Sequence, residues 1–154
     1  MTQAIVAGAV AVAALNALPG VIGAWLWYFG LPSARGARTF WLLMRVGQGS
    51  ALTLALAVGS LAAAGNFSRD RLFYLYALLP LAVGFIAEQL RVASAQTVLD
   101  QRGLAGAAAV GELPEDSQRE LVSQIVRREI GVMAASALVV VFLALRAAGT
   151  AHGF

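Results

Sequence analysis

The sequence predicts an all-α integral membrane protein: a four-transmembrane-helix bundle running up-down-up-down, with helices three and four extended into the cytoplasm. Three observations lead there. Of 154 residues, 60% are apolar and 12% charged, with a mean hydropathy of +0.77; soluble domains carry about 45–50% apolar and about 25% charged residues. Four long apolar blocks stand out, spanning roughly 4–28, 40–64, 72–92 and 130–148. Three reach or approach the ~20 residues that cross about 30 Å of hydrocarbon, and the last does so if Arg146 snorkels. Aromatic residues then mark two levels, Trp25, Trp27, Tyr28, Phe40 and Trp41 at one and Phe67, Phe73, Tyr74 and Tyr76 at the other, as interfacial belts do.

The first block lacks a positively charged leader, is longer than a signal-peptide core and ends in aromatics, so it reads as a retained helix. Asn16 lies near its middle, and Pro19-Gly20 predicts a kink, because proline removes a backbone donor. The LPSARG loop, residues 31–36, is short enough to make the first two helices antiparallel neighbours. The second helix carries Gly47, Gly49, Ser50, Thr53, Gly59 and Ser60, small residues of the kind that let membrane helices approach closely.

The third helix has no breaker until Gly103, so about 30 residues at about 1.5 Å each give roughly 45 Å, more than the hydrocarbon core. After the GLAGAAAVG linker (103–111), Pro114, Glu115 and Asp116 mark a helix start. Leu121, Val122, Ile125, Val126 and Ile130 recur at helical spacing opposite Arg119, Ser123, Arg127 and Arg128. This amphipathic piece continues into helix four, so that 93–129 forms a helical extension of one membrane domain covering 1–154.

Orientation follows from arginine, which supplies all eleven basic residues. Six (Arg35, Arg38, Arg102, Arg119, Arg127, Arg128) fall in the first and third connections, against three (Arg69, Arg71, Arg146) on the other side. The positive-inside rule then expects a multi-pass protein of the cell inner (plasma) membrane with both termini outside. A net charge of +3, dispersed along the chain, gives no reason to expect nucleic acid.

The absence of cysteine rules out disulfides, thiolate metal sites and thiol catalysis. The single histidine, His152, lies away from the apolar blocks, which removes the usual intramembrane haem ligand and a zinc set. No G-x-x-x-x-G-K-[ST], G-x-G-x-x-G or H-E-x-x-H occurs. No catalytic residue, metal or cofactor is therefore assigned.

One polar cluster interrupts the apolar pattern. The stretch VGFIAEQLRVASAQ (83–96) places Glu88, Gln89 and Arg91 at the end of the third span. From the helical rise, Arg45 lies roughly 7 Å and Glu88 roughly 6 Å inside the same boundary. Gln48 follows Arg45, and Arg91 follows Glu88, by three residues and so on the same face. A lipid-facing ion at that depth is costly, which predicts an interhelical Arg45–Glu88 pair completed by Gln48, Gln89 and Arg91. These five and Asn16 are the candidate ligand- or ion-binding residues. Either they fix helix register, or Glu88 binds a proton or cation, or Arg45 and Arg91 hold an anion.

Two functions are therefore expected. The first is a non-enzymatic membrane protein acting as an accessory, assembly or interaction subunit. The alternative is a small oligomeric transporter or channel for a proton, ion or small solute that uses Glu88, Arg45 and Gln48. An enzyme on a lipid-soluble substrate comes third. The expected partners are the lipid bilayer and further subunits, in a homo-oligomer or a larger membrane complex.

Overall fold

A computed structural model describes residues 2–30 and 34–152. Five helices occur in the order α1 (Thr2–Phe29), α2 (Ala34–Ala63), α3 (Arg71–Gln101), α4 (Ala107–Gly111) and α5 (Glu115–Thr150), and the described residues contain no strand. α1, α2, α3 and α5 are each long and apolar enough to cross a membrane and pack together as a bundle. In cross-section they form a ring in the order α1, α2, α3, α5; α1–α5 and α3–α5 pack most extensively and α2–α3 least of the neighbouring pairs. The start of α1 and the end of α5 lie at one end, and the extension of α3 and α5 forms a stem at the other.

The α1–α5 interface is built from residues with little or no side chain. α1 buries Ile5, Ala9, Val12, Ala13, Asn16, Pro19, Gly20 and Gly23, one stripe at helical spacing. α5 answers with Ile130, Met133, Ala134, Ala137, Val140, Ala144 and Ala147. A Cβ on Gly20 would lie 2.8 Å from Leu138 Cδ2, and one on Gly131 2.7 Å from Trp27 Cδ1. At Gly23 it would meet the Phe40 ring at 2.5 Å and Ala134 Cβ at 2.7 Å. Glycine is required here by close approach and not by backbone conformation. α1 passes through Pro19 as one continuous helix.

The stem follows from its sequence. α3 ends at Gly103, whose φ of +67° sits in the left-handed region, with Leu104 N donating to Leu99 O at 3.0 Å and Gly103 N to Asp100 O at 3.0 Å. This glycine-stopped closure satisfies carbonyls that a helix end leaves open. Arg102 Nη2 pairs with Glu120 Oε1 at 2.9 Å across the stem, over the buried Val98 and Leu121. At the opposite end, the Asp70 side chain caps α3 by accepting from Leu72 N. His152 O accepts from Arg69 N and Ser68 Oγ, both at 3.1 Å, and so ties the end of α5 to the α2–α3 connection.

Several expectations change. The 103–111 linker contains the short helix α4. α2 starts at Ala34, earlier than the apolar block, because its first turns are polar; Leu31, Pro32 and Ser33 of the expected LPSARG loop lie outside the described residues. Val122 is exposed, while Leu121 and Ile130 turn inward. Phe40 and Phe73 belong to the core and not to the interfacial belts, since both are fully buried; Phe40 fills the space that Gly23 leaves. Of Gly47, Gly49 and Gly59 on α2, Gly47 meets a neighbour, and Gly49 and Gly59 face open space.

Replacing Gly23 by Val is expected to overpack α1 against Phe40 and Ala134 and destabilise the bundle by about 1–3 kcal/mol. Gly59→Ala meets nothing within 4 Å and should be neutral or slightly stabilising, as expected for alanine in a helix. Thermal unfolding in detergent, followed by tryptophan emission, separates the two. Equal melting temperatures would refute the close-approach account.

Candidate functional site

The polar cluster lies at the stem end of the bundle, between α2 and α3, the neighbouring pair that packs least extensively. Arg45 and Gln48 are one helical turn apart on α2, and Glu88 and Arg91 one turn apart on α3. Glu88 Oε1 accepts from Arg45 Nη1 at 2.8 Å and from Gln48 Nε2 at 3.1 Å. Its second oxygen, Oε2, accepts from Arg91 Nε at 3.0 Å. Arg45 Nη1 also donates to Gln48 Oε1 at 2.8 Å, which orients the amide so that its NH₂ faces the carboxylate.

Arg91 carries the network onto α5 and back to α2. Its Nη1 lies 3.8 Å from Glu129 Oε1, and its guanidinium sits over the Trp41 ring, 5.3 Å from the centroid. The two guanidiniums and two carboxylates balance, so three helices meet in a site of zero formal charge. Burial is uneven: the Arg45 side chain is 58% exposed, whereas Arg91, Glu88 and Glu129 are 28%, 26% and 18% exposed. Arg91 is therefore the better-sheltered cation, held by two carboxylates and a ring, and Arg45 is its outer counterpart.

Inward of this network lies a cavity of about 250 Å³ whose polar lining is Asn16, Gln48, Glu88 and Ser136. Met44, Pro80 and Val140 are among its apolar walls. Asn16 is buried and its amide nitrogen is engaged: Nδ2 donates to Val12 O at 2.9 Å and across to Gly47 O at 3.2 Å. A Cβ at position 47 would stand 2.7 Å from Asn16 Oδ1, so Gly47 is what admits the amide between α1 and α2. Ser136 donates to Met133 O on its own helix at 2.7 Å. Beyond the cavity, toward the termini, the interior is apolar, with Ile5, Ala9, Val12, Leu54, Val58 and Phe73 among its buried side chains.

The six candidates thus fall into three groups. Arg45, Gln48, Glu88 and Arg91 form one bonded network. Asn16 shares the cavity with Gln48 and Glu88 but bonds only to backbone carbonyls. Gln89 is exposed and takes no part, because one residue beyond Glu88 is a turn of about 100° away from the α2-facing side. Sequence reasoning missed Glu129, Trp41, Pro80 and Ser136. Glu129 meets Arg91 only through the register of α3 against α5, which periodicity within one helix does not carry. Among the described residues, no three His, Asp or Glu side chains converge in a way that would hold a metal ion.

Chemically, this is a carboxylate with both oxygens engaged by donors, Oε1 by two and Oε2 by one. A cation approaching Glu88 competes with the guanidiniums that hold it, and an anion approaching Arg45 or Arg91 competes with Glu88. No protein-family model, curated protein or solved structure matches this chain.

A double-mutant cycle on Arg45→Ala and Glu88→Ala should return a coupling of about 0.5–1.5 kcal/mol, the range for interhelical polar contacts in a bilayer tempered by the exposure of Arg45. Arg91→Ala should destabilise more than Arg45→Ala, since it leaves Glu88 and Glu129 together without their shared cation. The reverse ranking in thermal unfolding would overturn the assignment of Arg91 as the centre.

Proposed function

We propose that the chain is a non-enzymatic membrane subunit, an accessory or assembly component, whose polar cluster is a clasp holding the helices at a set spacing. The observation that carries this reading is the engagement of both Glu88 oxygens within the chain. Both its oxygens are held by side chains of the same chain, and the interior beyond Asn16 and Ser136 is filled by apolar side chains. The expensive polar groups are spent on helix-to-helix contact. The stem and the exposed apolar faces are then what the subunit offers to its surroundings. The arginine asymmetry supports an orientation in the plasma membrane with the stem in the cytoplasm and both termini outside.

A second reading is favoured by one feature, the 250 Å³ cavity that brings Asn16, Gln48, Glu88 and Ser136 to a common space. In an oligomer this space could serve as the binding site of a small transporter, with Arg45 as the displaceable partner of Glu88.

Native mass spectrometry of the protein released from its own membranes in mild detergent tests the first reading, which expects a second, stoichiometric protein. Glu88→Gln should lower thermal stability and recovery of that partner. Loss of a pH-dependent flux in proteoliposomes by a Glu88→Gln variant that folds normally, with only a homo-oligomer recovered, would replace the subunit reading by the transporter reading.

A further inference from the structure

A second polar site lies on the far side of α5 from the clasp and shares no residue with it. Arg127 Nε donates to Trp27 O at 2.8 Å and so closes the C-terminal end of α1, where a cation complements the helix dipole. Its neighbour Arg128 is different. It is exposed, and among the described residues its guanidinium has no hydrogen-bond or ion-pair partner. Two concavities meet at Arg128 and the half-exposed Trp27 indole. One, of about 280 Å³, is the more polar of the two and lies toward the stem, lined by Val98, Gln101, Gln124 and Arg127. The other, of about 530 Å³, runs down the bundle past Ser94, Ala24, Gly131, Ala135 and Leu138 and is almost wholly apolar.

The dimensions decide the ligand class. From Arg128 to Leu138 is ten residues, or about 15 Å of helix, which is half of a hydrocarbon core about 30 Å thick. The groove therefore runs through one leaflet, beginning at the level of the aromatic residues. Gly131 makes it what it is: without a Cβ there, the Trp27 ring lies against α5 and forms the groove's wall. A permanently charged donor at the membrane boundary, polar space above it and an apolar channel one leaflet deep match a single amphiphile.

We infer that this surface is a site for an anionic glycerophospholipid, its phosphate held by Arg128 and an acyl chain lying along Gly131, Ala135 and Leu138. Arg127, whose Nε and Nη2 turn to the carbonyls of α1, adds positive charge beside the headgroup. The Trp27 indole packs on the upper chain, as interfacial tryptophans do. This site does not rest on the subunit reading and would exist equally in a transporter.

Trp27 supplies the readout. In a Trp25→Phe, Trp41→Phe background, where Trp27 is the remaining tryptophan, the protein is reconstituted into phosphatidylcholine bilayers. Increasing fractions of dibrominated phosphatidylglycerol or of dibrominated phosphatidylcholine are then added. The brominated anionic lipid should quench Trp27 with roughly fivefold preference over the zwitterionic one, the scale for one basic side chain at an anionic surface. Arg128→Gln should bring the ratio near one, whereas Arg128→Lys, which keeps the charge, should retain most of it. Ala135→Phe, which fills the groove, should weaken quenching by both lipids. Equal quenching by the two lipids before any change at Arg128 would overturn the proposal, as would a preference that survives Arg128→Gln. Abolition of the preference by millimolar inorganic phosphate would also overturn it, because the site would then recognise a free anion and not a lipid.

Discussion

A helix in a bilayer gains nothing by turning an apolar face from lipid tails to another helix, so cohesion depends on close backbone approach or on polar contact. That constraint orders the structure. Between α1 and α5 the chain uses close approach: Gly20, Gly23 and Gly131 stand where any Cβ would collide with the opposite helix, and alanines fill the stripe between them. Between α2 and α3 no such approach is made. There the polar contact centres on Glu88, gripped from α2 by Arg45 and Gln48 and steadied on α3 by Arg91, which also lies over Trp41 of α2.

The two modes explain where the interior is empty and where it is full. Small residues bring α1 and α5 together along their length, and the terminal half of the bundle holds an apolar core with an apolar groove of about 770 Å³ between α1 and α2. A clasp acts at one level only. Inward of it α2 and α3 leave a cavity, and the polar side chains that line it already have partners in the protein: Asn16 on backbone carbonyls, Ser136 on its own helix, Gln48 on Arg45 and Glu88. The clasp also reaches the stem, because Arg91 meets Glu129 just before α5 takes up its buried course at Ile130. A second ion pair, Arg102 with Glu120, repeats the α3–α5 contact three turns farther out. The stem is thus continuous with the membrane helices in hydrogen bonding as well as in covalent chain.

Much of this was legible in the sequence, and for identifiable reasons. Span count, helical extension and the stop at Gly103 follow from composition and periodicity, which are local properties. The meeting of Arg45 with Glu88 followed from depth alone, because helical rise fixes how far each residue lies from a common boundary. What depth does not fix is azimuth. Phe40 and Phe73 sit at belt height but point inward, and Gln89 sits at cluster height but points away, since one residue rotates a side chain by about 100°. Pairings that need the register of two helices were likewise hidden: Asn16 against Gly47, Gly23 against Phe40, Arg91 against Glu129. Arg127 and Arg128 read only as topology signals, because the carbonyls of Trp27 and Tyr28 that engage one and leave the other free are a hundred residues distant in the chain.

The central claim is that the Glu88 network, and not apolar packing, sets the spacing of α2 and α3. The chain has no cysteine, so spin labels at Leu42→Cys and Val92→Cys, both exposed and near the network on these two helices, report that spacing directly by pulsed electron–electron resonance in lipid nanodiscs. The account predicts one narrow distance distribution that broadens or shifts when Glu88→Gln removes the charge. A distribution as narrow, and at the same distance, in the Glu88→Gln protein would mean that packing alone positions the two helices.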